Sequence, residues 1–245
     1  MKKIPHHIII LGCGRSGTSI FGELFQHLST YSYYSEPSFE DLFSYNYAQP
    51  IAVKVPRESP NYPPTLGLSF PLDDLLRFVP KPMTIFWQVR HPLDTICSLK
   101  VGISRNWGHH PRPPDWKDWL NKPLLIQCAH HWNYINSVGY ESVREKVMVT
   151  RFEEMILQTP AFVDKIVKKL QIDVNEEAPN IIAWCDRVQN TNNSKFVEAA
   201  TSKPYSTTDH KVKVGRWKEN LSQAEVESIL PIIEKTAAQF GYSLT

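Results

Sequence analysis

Eight residues, Gly12-Cys13-Gly14-Arg15-Ser16-Gly17-Thr18-Ser19, gather three glycines, one cation and three hydroxyls directly after the apolar run Ile8–Leu11. Glycines let the backbone curl so that successive N–H groups converge on one point, and a following helix adds the positive end of its dipole. The chemistry of such a turn is anion binding. The spacing fits the phosphate-loop pattern GxxxxGK[ST], except that Thr18 stands at the lysine position. Enzymes that split ATP or GTP need that lysine, together with a magnesium ion held by a hydroxyl and a carboxylate. Here the cation comes earlier, at Arg15, and the run Met83–Val89 is followed by Arg90, where a magnesium-binding carboxylate would be expected. Taken alone, the turn could also be a glycine-rich link between strand and helix with no ligand.

A second constellation lies in FWQVRHPLDTICSL, which places Arg90 after an extended run and Ser98 eight residues later. Pro92 suits the first turn of a helix, so the cation and the hydroxyl belong to one strand-to-helix unit and could hold a second phosphate. Two separated anion grips exceed what an ATP-type site uses.

The elements that must position these groups can be read from short β-branched and aromatic runs. Ile8–Leu11, Ile51–Val55, Met83–Val89 and Lys146–Thr150 are expected strands. Helical patterns cover Ser16–Leu28, Pro92–Gly102, Leu124–Ser142, Pro160–Leu170 and Gln223–Phe240. Strands alternating with helices indicate an α/β three-layer sandwich with a central parallel sheet, and ligands in such sheets sit beyond the carboxyl ends of the strands. The loops after Leu11, Val55, Val89 and Thr150 are therefore the place for a site. Two irregular regions, Tyr31–Pro50 and Arg105–Pro123, carry tyrosines, tryptophans and the pair His109-His110, and are expected to shape an acceptor pocket.

At 245 residues the chain fits one domain, 1–245, able to bury roughly 70–75% of its unfolded surface. The four cysteines are dispersed, without a CxxC pair or histidines at metal-ligand spacing, which argues for reduced thiols and against a metal site. No apolar run approaches the ~20 residues of a membrane span, and the expected location is cytoplasmic. A formal charge of +2 with interspersed signs offers no basic tract for nucleic acid.

Arg15-Ser16-Gly17-Thr18-Ser19 resembles the first motif of the sulfotransferases that use 3′-phosphoadenosine-5′-phosphosulfate (PAPS), and Arg90 with Ser98 resembles their second. AVKVP, VTRFEEM and VGRWKENLS are similar, in the same order, to three further segments of that family. The resemblance implies a phosphate-loop fold and transfer of a sulfuryl group from PAPS to a small-molecule, carbohydrate or tyrosyl hydroxyl. The product would be adenosine 3′,5′-bisphosphate (PAP), and no metal is needed. It implies that Arg15, Ser16, Gly17, Thr18 and Ser19 bind the 5′-phosphosulfate and that Arg90 and Ser98 bind the 3′-phosphate. Arg216 would serve on the 3′-phosphate or adenine side. Members use either a histidine or a glutamate as base, so Glu36 in YYSEPSF is the first choice and His109 or His110 the competitor. Lys54 would stabilise charge on the bridging oxygen if it sits at a strand tip, or would lie on a solvated edge. An atypical nucleotide-dependent kinase and a non-catalytic nucleotide-binding protein are the alternative readings.

Overall fold

His7–Gly12 (β1) has consecutive apolar residues because both of its faces are covered: Ile8 and Ile10 pack to one side of the sheet, Ile9 and Leu11 to the other. The computed structural model describes residues 5–188, 193–208 and 210–244. Within them β1 occupies the centre of a five-stranded parallel sheet of order β2-β3-β1-β4-β5, with β2 Ser32–Ser35, β3 Ile51–Lys54, β4 Met83–Val89 and β5 Val147–Arg151. β1 pairs along its whole length with β4, from His7 opposite Met83 to Gly12 opposite Gln88.

Helices cover both faces. The first layer contains α1 Thr18–His27, and later α6 Phe152–Leu157, α7 Thr159–Leu170 and α8 Val174–Arg187, whose apolar residues meet Ile8, Ile10 and Phe86. The second contains α2 Leu72–Phe78, α3 Pro92–Ile103, α4 Leu124–Tyr134 and α10 Gln223–Gln239, packed on Ile9, Leu11 and Trp87. α4 continues through a π-helical turn, Ile135–Gly139, into the single turn α5 Tyr140–Val143, while α9 Trp217–Asn220 is another single turn before α10. Ser222 and Glu225 close a capping box at the start of α10.

The four expected strands and their parallel arrangement are present. The region Tyr31–Pro50 is more regular than expected: it supplies the edge strand β2 and a 3₁₀ turn, Phe39–Ser44. α1 starts at Thr18 rather than Ser16, because Gly17 has a φ of +87° and cannot continue a right-handed helix. Among the described residues, no helix is long and apolar enough to cross a membrane.

Candidate functional site

The carboxyl ends of β1, β3 and β4 converge on the glycine-rich turn. Gly12 has a φ of +147°, and a Cβ there would stand 2.3 Å from the Gln88 carbonyl oxygen. At Gly17 a Cβ would stand 2.4 Å from the Phe152 ring. Both glycines are thus required by close approach as well as by backbone conformation. Arg15 also adopts a positive φ, and its guanidinium donates to the Ser202 carbonyl at 3.4 Å and to Ser206 Oγ at 3.1 Å. Burial lowers its pKa to about 10, with Glu198 opposing and Arg90 and Arg216 reinforcing the shift. Arg15 therefore remains charged at neutral pH.

Arg90 follows β4 and is almost fully buried. Its guanidinium donates to the carbonyls of Arg15 at 3.3 Å and Lys213 at 2.9 Å, lies 4.1 Å over the Phe152 ring, and stands 3.8 Å from Asp94. Asp94 in turn accepts from the backbone N–H groups of Gly215 at 2.7 Å and Trp217 at 2.9 Å. One carboxylate thereby ties the VGRW segment to the arginine. The Nε atoms of Arg15 and Arg90 and the hydroxyls of Ser16 and Ser98 are buried without hydrogen-bond partners among the described residues. Such atoms are costly unless a ligand uses them.

A cleft of about 490 Å³, open solvent at its mouth included, lies between Arg15, Thr18, Ser19, Arg90, Phe152 and the segment that carries Glu198, Ser202, His210 and Lys211. Neither Ser98 nor Arg216 lines this space; Arg216 precedes α9, and its charge acts on Arg15 and Arg90 through space. The wall positions near it belong to His210 and Lys211, which sequence reasoning missed although HKVKV places two basic residues just before VGRW. Phe152 and Asp94 were likewise overlooked, since an aromatic and an acid beside arginines carry no anion-binding signature of their own.

A second cavity, about 1200 Å³ including its open mouth, lies on the other side of the turn, and Thr18 lines both. Glu36 reaches into it from the residue after β2. Its backbone is left-handed, with φ +52°; its N–H donates to the Lys54 carbonyl at 2.8 Å, and its carboxylate accepts from Lys54 Nζ at 2.6 Å. Lys54 is 1% exposed, so the solvated-edge alternative does not apply. Nζ also donates to Ser19 Oγ at 3.1 Å and to Thr201 Oγ1 at 3.3 Å, so one ammonium spans from the anion-binding turn to the carboxylate. Burial lowers the Lys54 pKa, and Glu36 pulls it back up.

The two histidines differ. His109 lines the second cavity but is 9% exposed and packed against Gly14, where a Cβ would stand 2.9 Å from its Nδ1. Burial, then the Arg15 charge, pushes its pKa down to about 3, so the ring is neutral throughout the physiological range. His110 pairs through Nδ1 with Glu58 at 2.9 Å on the cavity rim. From the region Arg105–Pro123, Gly108, His109 and His110 help form this cavity, whereas Trp107 is wholly buried in the core.

The model of the sulfotransferase domain family matches residues 5–241. Mouse sulfotransferase SULT7A1 complexed with PAP superposes with a TM-score of 0.61 at 17% identity, covering 95% of this chain and 84% of that one. Retinol dehydratase in a complex with retinol and PAP gives 0.57 at 14%, over 99% and 84%. Sulfotransferase STF9 from Mycobacterium avium gives 0.55 at 12%, over 98% and 78%. No curated protein matches the chain significantly.

Proposed function

The chain belongs to the sulfotransferase domain family, and from that premise we infer that it moves the sulfuryl group of PAPS onto an acceptor hydroxyl with Glu36 as the base. The observation that carries this reading is the meeting of the two cavities at Thr18, with Arg15 on the donor side, Glu36 on the acceptor side and Lys54 between them. PAP is bound in the similar structures of mouse SULT7A1 and retinol dehydratase.

The residues fit a donor with two anionic ends. Arg15, the hydroxyls of Thr18 and Ser19 and the start of α1 receive the 5′-phosphosulfate, while Arg90, backed by Ser98, receives the 3′-phosphate. Arg216 adds positive potential from a distance. In the transfer, the acceptor oxygen attacks sulfur as the sulfur–oxygen bond to the 5′-phosphate breaks. The hydroxyl proton passes to Glu36, and PAP departs with the bonding electron pair. Arg15 and Lys54 stabilise the charge that grows on the bridging oxygen, an electrostatic contribution that needs no proton movement on their part.

Thermal denaturation with PAP, compared with ATP plus magnesium, tests the donor. PAP at 100-fold over its dissociation constant should stabilise the protein by ~2.7 kcal/mol, a rise of several degrees for a chain of this size. ATP should give much less, and equal shifts from both ligands would remove the reading.

A further inference from the structure

The second cavity has mixed walls in which polar side chains outnumber apolar ones. Of its fourteen lining residues, only Val55, Pro56 and Tyr205 present mainly apolar side chains. Three charged groups, Glu36, Arg57 and Glu58, and the His110 imidazole face the space. They come from three loops, following β2, β3 and α3. Retinol dehydratase, with a similar fold, holds retinol or androsterone, both dominated by hydrocarbon. Seating such a ring system here would cover part of two carboxylates and a guanidinium while returning few hydrogen bonds, which is unfavourable.

The hydrogen-bonding capacity left open is specific. The Arg57 guanidinium has no partner within the described protein. Ser69 is 4% exposed, yet its hydroxyl also lacks a partner and borders the cavity. Glu58 uses one oxygen on His110 and keeps the rest of its acceptor sites for a ligand. The wall therefore offers both donors and acceptors: a guanidinium, a hydroxyl and two carboxylates. With its open mouth excluded, the space is about 480 Å³, within the range of small-molecule pockets. A molecule bearing many hydroxyls, each both donor and acceptor, matches this lining.

We propose that the acceptor is a polyhydroxylated saccharide, read by Arg57, Glu58 and Ser69. This rests on the sulfotransferase reading above and narrows it. The reactive hydroxyl of the sugar stands beside Glu36, while its other hydroxyls face Arg57, Glu58 and Ser69.

The test presents the full chain, with PAPS, with a panel of di- and trisaccharides including chitobiose and lactose. Androsterone, 4-nitrophenol and a tyrosine-containing peptide run in parallel, and products are read by mass spectrometry. A sulfated saccharide is expected, and Arg57→Leu and Ser69→Ala should each raise its KM tenfold or more while the PAP thermal shift stays unchanged. Glu58→Leu with His110→Leu, which removes the rim pair together, should lower saccharide turnover and raise that of androsterone. Unmodified saccharides in the presence of normal PAP binding would overturn the acceptor class, whichever other compound is sulfated, and leave the donor reading intact. Absence of PAP binding would overturn both.

Discussion

At Glu36 the carboxylate is held from two directions, by Lys54 Nζ at 2.6 Å and by a left-handed backbone pinned to the Lys54 carbonyl. Glu36→Gln preserves the shape and removes the basicity, so turnover should fall by about 10²–10⁴ with the PAP thermal shift unaltered. Near-normal turnover in that variant would move the base elsewhere. His109 is a poor replacement, since burial keeps its ring neutral and wedged against Gly14. His110→Ala should retain most activity on acceptors that do not use the rim. Arg90 separates recognition from structure in a different way. Arg90→Ala should weaken PAP by ~1.5–3 kcal/mol, the worth of a charge-assisted hydrogen bond, and leave adenosine 5′-phosphosulfate almost unaffected because it lacks the 3′-phosphate. Calorimetry on both ligands decides: equal weakening would assign Arg90 to holding the Arg15 and Lys213 carbonyls alone.

Among the elements, the strand-to-helix turn is the least tolerant. Gly17→Ala would place a methyl 2.4 Å from Phe152 at a φ of +87°, so the turn must open or the ring must leave Arg90. A loss of more than about 1 kcal/mol of stability is expected, together with loss of the PAP shift. A fully stable variant that still binds PAP would show that the ring can yield. This turn was legible because its glycines are forced by geometry, and β1 and β4 were legible because a strand covered on both faces has to be apolar throughout. β2 was not: Ser32-Tyr33-Tyr34-Ser35 is a half-exposed edge of four residues with no alternation to read. α8 was also missed, because VNEEAPNIIAWCDR opens on a polar stretch, contains Pro179 and buries only Glu177 and Trp184. For the site, residues with a charge or hydroxyl beside glycine announced themselves, whereas Asp94 and Phe152 act through contacts that only the packing of α3, α6 and α9 creates.

Across the whole molecule, the edge of the sheet that carries Glu36 is anchored by a carboxylate far from the chemistry. Glu177 on α8 accepts from Ser29 N at 3.0 Å and Oγ at 2.8 Å, Thr30 N at 2.8 Å and Oγ1 at 2.6 Å, and Asn180 Nδ2 at 2.8 Å. These donors fix the turn between α1 and β2, and β2 leads directly to Glu36. Burial alone would raise the Glu177 pKa, but the hydrogen bonds from Thr30, Asn180 and Ser29 outweigh it and hold the value at about 2. Because the folded value lies below the ordinary carboxylate value, the contribution to stability is complete above about pH 4.5 and disappears as pH falls toward 2. Glu177→Gln keeps one acceptor oxygen and loses the charge, so near neutrality it should cost ~1–3 kcal/mol, roughly 2–10 °C in Tm. Parent and variant should then converge as pH is lowered from 5 toward 3, with the parent losing stability faster. Parallel Tm profiles over that range would mean that Glu177 holds the turn by shape and hydrogen-bond number, without a contribution from its charge.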